Sequence, residues 1–419
     1  SWGCQIFSGH DPAHVEDASA LVVTAAVPQD HPEIQRAREI GIPVMKRAEA
    51  LGGWVNQGTV VAVAGTHGKT TTTAMATEAL FAAGMDPTGF VGGRVLDWES
   101  NLRFGSDKLF VVEADEHDRS FHHLRPTVAV LNNLEADHLD IYGDLDGVQE
   151  AFEAFLDCVH ADGQVVACGD DHGVSRLLAG LGRPTRTYGL NPGAQLRGIE
   201  LRQEGGGASF QIVESGESRG EITLQVPGRH NVLNALGAAA AARSLGAGWD
   251  EIAQGLASFK GVSRRFQVLG EVGGVTVVDD YAHHPSEIEA TLDAARDRFP
   301  GRRLVAVFQP HLFSRTRDFA DAFGKALAGA DVVWVTEVYP AREDPLPGVT
   351  GVLVAQAALA SGACDVSFHA SLEELPEALL PSVEAGDVCL TMGAGSIEFL
   401  GSDLLAALED RHAERGGVS

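Results

Sequence analysis

A β-branched, Ala-rich run, TVVAVA at residues 59–64, leads directly into the turn GTHGKTT at 65–71. A helix is expected from about 71 to 83, closed by Gly84. Because the run is continuously apolar rather than alternating, both its faces must be covered. That makes it an inner strand of a mostly parallel sheet. A Gly-rich turn between such a strand and a helix aims successive backbone N–H groups at one point, where phosphate oxygens fit. Its Lys adds a charge and its Thr offers a hydroxyl to Mg²⁺. The longer consensus would place another Gly five residues before Gly68, where Val63 stands, so the turn follows the shorter GTxGKTT form. The candidate phosphate contacts are Gly65, Thr66, His67, Gly68, Lys69, Thr70 and Thr71.

Strand and helix alternate along the rest of the chain. Strands are expected at 20–25 (ALVVTA), 109–113 (LFVVE) and 127–132 (TVAVLN), with another plausible one at Cys4–Phe7. A helix opens at Asp30-His31-Pro32 and closes at Gly41, since Pro suits a first helical turn and Gly a helix end. The Gly-rich stretch 186–227 reads as antiparallel edge strands, followed by a helix from His230-Asn231 to about Ser244. Beyond Lys260-Gly261-Val262 the alternation resumes. Strands are expected at 275–280, 303–308, 331–338 and 387–392, and helices from Pro285, from Thr316, over 351–361 and over 396–411. The reading is three α/β parts: residues 1–57, an incomplete unit; 58–261, the phosphate-loop domain; and 262–419, a second complete α/β domain.

Charge and cysteine content narrow the partners. With 31 basic and 58 acidic residues the net charge is −27, which argues against binding a nucleic-acid backbone. It leaves room for an anion held locally by backbone N–H groups and a few cations. No apolar run reaches the roughly 20 residues of a membrane span. The five cysteines are scattered with no C-x-x-C pair, which fits a reducing compartment, and a cytoplasmic location is expected.

The polar clusters follow strand ends. EADEHD (113–118) and NNLEADH (132–138) follow two central strands, and carboxyl ends of parallel strands line the usual ligand crevice. Carboxylates, an imidazole and a Thr hydroxyl beside bound phosphates make a Mg²⁺ site, since Mg²⁺ prefers oxygen ligands shared with a nucleotide. Residues 109–259 contain no lysine, so no lysine there, carbamylated or not, can hold metal. In the last domain DDYAHHP (279–285), QPHLFSRTR (309–317) and EVYPARE (337–343) again gather His, Arg and carboxylates. Such a set can hold a small zwitterion, with Arg on its carboxylate.

Eight ordered motifs make the chain resemble the ATP-dependent Mur ligases of peptidoglycan synthesis. They are GTHGKTTTTAM, EADEHD, NNLEADHLDIY, GRHNVLNALGA, SRRF, VVDDYAHHP, FQPHLFSRTRD and MGAGS, and they span essentially the whole chain. The resemblance implies an α/β fold with a central P-loop ATPase domain built on a mostly parallel sheet and a C-terminal Rossmann-like amino-acid domain. Before them would stand an N-terminal Rossmann-like, UDP-sugar-binding remnant lacking its first βα unit. It implies joining of L-alanine to UDP-N-acetylmuramate with ATP and Mg²⁺, by a monomer or homodimer. Lys69 and the loop amides would hold phosphates; Thr70, Glu113 and His138 would serve Mg²⁺. Asn231, Arg264 and Asp280 would lie near adenosine. His283, His284, His311 and Arg315 would meet L-alanine and the reacting carboxylate, with His284 a candidate base. Lys69, His138, His284 and Arg315 form the implied catalytic set, and Lys69, Arg264 and Arg315 should point into the crevice.

Three departures accompany the resemblance. The family's Gly-rich loop for the UDP diphosphate would lie upstream of Ser1. Leu312 stands where Arg is frequent, and Ser396 where Asp is usual. The rival readings are a murein tripeptide recycling ligase, associated with Phe at the positions of Ala136 and Tyr281, and a non-catalytic nucleotide-binding relative. A folate–glutamate ligase shares the phosphate loop but would not need the two His-rich clusters.

Overall fold

The computed structural model describes residues 3–24, 26–137 and 139–416, apart from the side chains of residues 139, 140, 204, 414 and 415. Two short parallel strands, β1 (Leu21–Val23) and β2 (Val44–Lys46), form the N-terminal unit with the helix Pro32–Glu39. Cys4–Phe7, expected as a strand, is exposed and irregular, with no strand beside it among the described residues.

Ten strands build the central sheet: β3 (Thr59–Ala64), β4 (Thr88–Val95), β5 (Ser100–Arg103), β6 (Leu109–Glu113), β7 (Val128–Leu131), β8 (Gln164–Cys168), β9 (Thr185–Gly189), β10 (Leu196–Glu204), β11 (Gly207–Glu214) and β12 (Glu217–Leu224). Their order is β12-β11-β10-β9-β8-β7-β3-β6-β4-β5. The stretch expected to be antiparallel is so only in part. β9 and the start of β10 continue the parallel ladder, and the antiparallel meander is β10–β12. β3 lies between β6 and β7, so the chain leaves it in one direction and crosses it from β6 to β7 in the other. That reversal opens a crevice at the carboxyl ends, where the phosphate loop stands.

The apolar run explains the layers. Val61 and Val63 of β3 face one core, with Met75, Ala79 and the helix Arg229–Ser244. Val60, Ala62 and Ala64 face the other, with Phe152 and Phe155. Successive side chains point to opposite faces, so burying both requires the unbroken apolar sequence.

The last domain holds β13 (Gln267–Val272), β14 (Val275–Asp280), β15 (Leu304–Phe308), β16 (Val332–Val335), β17 (Val366–Phe368) and β18 (Val388–Met392). Their order is β13-β14-β18-β15-β16-β17, parallel except for β13. Val262 packs in the central core and Phe266 in the C-terminal one, so the chain crosses between domains at residues 263–265. The helix Phe313–Leu327 begins three residues before the expected Thr316. Among the described residues, no helix is long and apolar enough to cross a membrane.

Candidate active site

The phosphate loop is shaped by two glycines. Gly65 has φ +142° and Gly68 φ +77°, and a Cβ on Gly68 would stand 2.3 Å from Asn234 Oδ1. The His67 N–H donates to Asn133 Oδ1 at 2.7 Å, and the Glu135 N–H donates to Thr66 Oγ1 at 2.9 Å, which ties the loop to the segment after β7. Lys69 begins the helix Lys69–Ala82. Its ammonium donates to the Gly65 and Thr66 carbonyls at 2.7 and 3.1 Å and to Glu116 at 2.9 Å. Burial disfavours that charge, yet Glu116, Asp115 and Glu113 outweigh it and hold the Lys69 pKa above its usual value. Thr70 Oγ1 donates to Glu113 Oε1 at 3.0 Å, while the Gly92 N–H donates to Glu113 Oε2 at 2.5 Å. A hydroxyl and a carboxylate so joined are a hard-oxygen pair of the kind Mg²⁺ takes. His138 lies outside the described residues.

Beside the loop lies a cavity of about 280 Å³ lined by His67, Gly68, Thr70, Thr71, Asn231 and Asp280, among others. Asn231 Nδ2 donates to the Pro227 carbonyl at 2.7 Å. Asp280 accepts from the N–H groups of Phe266 and Ala282, and burial pushes its carboxyl up to about 6 despite Arg265. Arg264 does not line this cavity. Its left-handed backbone (φ +60°) turns the guanidinium to Asp279 at 2.9 Å and to the Gly393 carbonyl at 2.8 Å. Its neighbour Arg265 lines the cavity instead, 3.3 Å from Glu287.

His230, another lining residue, carries a pH signature. Burial, helped by Arg265, lowers its pKa from 6.5 to about 4. The unfolded chain therefore binds the extra proton between those values, so this group's contribution is present above pH 6.5 and lost as pH falls toward 4. His230→Gln is expected to remove about 3 kcal/mol of acid destabilisation over that range. Thermal midpoints against pH would show a flatter acid limb; an unchanged limb would contradict the assignment.

The third group of side chains joins the two large domains. His67 Nδ1 lies 3.2 Å from Glu287 Oε1, and its Nε2 lies 3.1 Å from Ser286 Oγ. Burial opposes a charge on His67, but Glu287 and Glu135 overcome it and raise its pKa to about 9. Ser286 Oγ also meets His284 Nδ1 at 2.7 Å and Glu135 Oε2 at 2.8 Å. Burial and His67 lower His284 to about 4, keeping it neutral. The Glu287 carboxylate accepts from the His283 N–H at 3.0 Å and lies 3.1 Å from His283 Nδ1. His311 stacks on Tyr339 with ring centroids 5.6 Å apart, and burial, then His283, lower it to about 4. Arg315, 7% exposed, is turned to Asp137 at 2.5 Å.

Of the expected residues, His67, Gly68, Thr70, Thr71, Asn231 and Asp280 line the cavity, His284 meets His67 across the domain boundary, Arg264 is turned away, and Lys69 and Arg315 are engaged by Glu116 and Asp137. Glu135 stands in the NNLEADH cluster, whereas Arg265, Ser286 and Glu287 are not among the site residues the sequence suggests. Glu287 had a local signal, a carboxylate three residues past the helix-capping His284. Arg265 and Ser286 had none, because their partners are distant in the chain.

A phosphate loop at a sheet reversal, facing a His- and Arg-bearing α/β domain, is the arrangement of a nucleotide-dependent enzyme. Family profiles agree in detail: the Mur ligase family, catalytic domain, matches residues 1–59; the Mur ligase middle domain 63–242; and the Mur ligase, glutamate ligase domain, 264–395. The chain belongs to the Mur ligase family. It is 46% identical to a UDP-N-acetylmuramate–L-alanine ligase of Oleidesulfovibrio alaskensis over 95% of this chain and 88% of that one. A protein of the same name from Salinibacter ruber is 45% identical over 94% and 83%. Among solved structures, the UDP-N-acetylmuramate–alanine ligase of Thermotoga maritima superposes with a TM-score of 0.81 at 31% identity, covering 98% of this chain and 90% of that one. A murein peptide ligase from Psychrobacter arcticus gives 0.69 at 27% identity, covering 96% and 88%.

Proposed function

We propose that this chain joins L-alanine to UDP-N-acetylmuramate at the expense of ATP, in peptidoglycan precursor synthesis in the cytoplasm. The observation that carries the reading is the direct meeting of the two domains at the phosphate loop, where His67 reaches Glu287, Ser286 and His284 while Arg315 reaches Asp137. The identity to alanine-adding relatives supports the acceptor.

A carboxylate is a poor electrophile, so it must first be activated. The UDP-N-acetylmuramate carboxylate attacks the γ-phosphorus of ATP, and the bond to ADP breaks. The alanine nitrogen then attacks the acyl phosphate carbon, phosphate leaves with the C–O bond electrons, and the amine proton passes to a base. Lys69 and the loop N–H groups stabilise charge on the transferring phosphoryl group. Thr70 and Glu113, with His138, would hold Mg²⁺, which when bound neutralises phosphate charge. Asn231 and Asp280 line the side of the cavity for the nucleoside, and Arg265 does so in the place expected of Arg264. His284 is uncharged and can accept the proton; an anionic phosphate alongside raises its basicity. Arg315 exchanges Asp137 for a substrate carboxylate.

The test is phosphate release from ATP with UDP-N-acetylmuramate and, in turn, L-alanine, glycine, L-serine or the tripeptide. L-Alanine is expected to give the highest kcat/KM. Preference for tripeptide would make the chain a recycling ligase, and no acceptor-dependent release would reject the ligase reading.

A further inference from the structure

We propose that His67, Glu135 and His284 form a binding site for one zinc-class divalent ion that bridges the central and C-terminal domains. His67 comes from the phosphate loop, Glu135 from the segment after β7, and His284 from the helix start after β14. One ligand atom from each lies within 4.8 Å of the other two. His67 Nε2 and His284 Nδ1 are each 3.6 Å from Glu135 Oε2. A tetrahedral zinc with nitrogen and oxygen ligands sets such edges at about 3.3 Å, so two of the three edges are nearly formed. The third edge is no longer than 4.8 Å, and zinc binding there displaces the proton that Glu287 and Glu135 favour on His67.

The three ligand atoms also converge on one point. Ser286 Oγ touches all of them, at 3.1 Å from His67 Nε2, 2.7 Å from His284 Nδ1 and 2.8 Å from Glu135 Oε2. A hydroxyl at the focus of three ligands can turn aside for a metal or remain near it while water takes the fourth place. Two imidazoles and one carboxylate are softer than the all-oxygen set Mg²⁺ prefers, so this site and the Thr70–Glu113 pair select different ions. Because its ligands come from both domains, a bound zinc ties them together. Turnover in enzymes that close over their substrates needs the domains to part again, so zinc here slows product release.

The full chain, without an affinity tag, is titrated with ZnCl₂ against a chromophoric chelator. One zinc per chain is expected, with affinity at least tenfold weaker in both His284→Asn and Glu135→Gln. His31→Asn serves as a control, because His10, His31 and Glu33 form a second, more exposed group of ligands; this variant is expected to keep full affinity. X-ray absorption of the zinc-loaded wild type gives a readout independent of variant folding. Two imidazole nitrogens in the first shell support the site; a shell of sulfur, or of oxygen alone, overturns it. Unchanged affinity in both variants, or loss of zinc in His31→Asn, also overturns it.

Discussion

Lys69→Ala is expected to lower ATP-dependent phosphate release by at least about 10³-fold, the scale on which a cation facing a transferring phosphoryl group acts. The ammonium sits among the Gly65 and Thr66 carbonyls and Glu116, within 3.1 Å of each. From there it meets phosphate oxygens held by the loop N–H groups. Lys69→Arg is not expected to rescue, because a planar guanidinium does not fit where a compact ammonium bridges two carbonyls. Removing Lys69 also takes the counter-ion from buried Glu116, so instability must be separated from lost chemistry. The double variant Lys69→Ala, Glu116→Gln restores charge balance and should regain the thermal midpoint while remaining inactive. Normal turnover in Lys69→Ala would refute the role of the loop.

How much of this arrangement was readable beforehand follows from the range of the interactions. β3 and β6 lie at the residues expected from their apolar runs, because a strand buried on both faces is apolar along nearly all its length, and β14 lies at its expected residues although it buries Thr276, Asp279 and Asp280. The phosphate loop was equally legible, since its glycines, Lys and Thr act within one turn. The stretch 186–227 suggests antiparallel strands throughout, yet β9 is parallel to both its neighbours, because Gly-rich, alternating sequence does not reveal which neighbour a strand pairs with. At residues 264 and 265 the sequence offers two adjacent arginines. The positive φ of Arg264 decides that the second lines the cavity, and no propensity announces that conformation for Arg. The pairing of Glu135 with Ser286 is hidden for another reason: they meet across 151 residues of chain, and only docking of two domains makes them neighbours.

That same docking makes Arg315 the second decisive position. Its guanidinium and the Asp137 carboxylate are 6% and 8% exposed and 2.5 Å apart across the domain boundary. Arg315→Ala is expected to lower kcat/KM for L-alanine by about 10- to 150-fold, as loss of a charged hydrogen bond to a carboxylate does. Affinity for ATP, measured by titration, should be unchanged. Breaking a buried pair from one side also costs about 3 kcal/mol or more, so the thermal midpoint of this variant should fall. Arg315→Lys separates the two effects. Its ammonium keeps the charge beside Asp137 and so most of the stability, but it cannot present two parallel N–H groups to a carboxylate. A near-normal midpoint with a kcat/KM still depressed at least tenfold would establish that Arg315 recognises substrate. Full activity in Arg315→Lys would reduce its role to holding the two domains together.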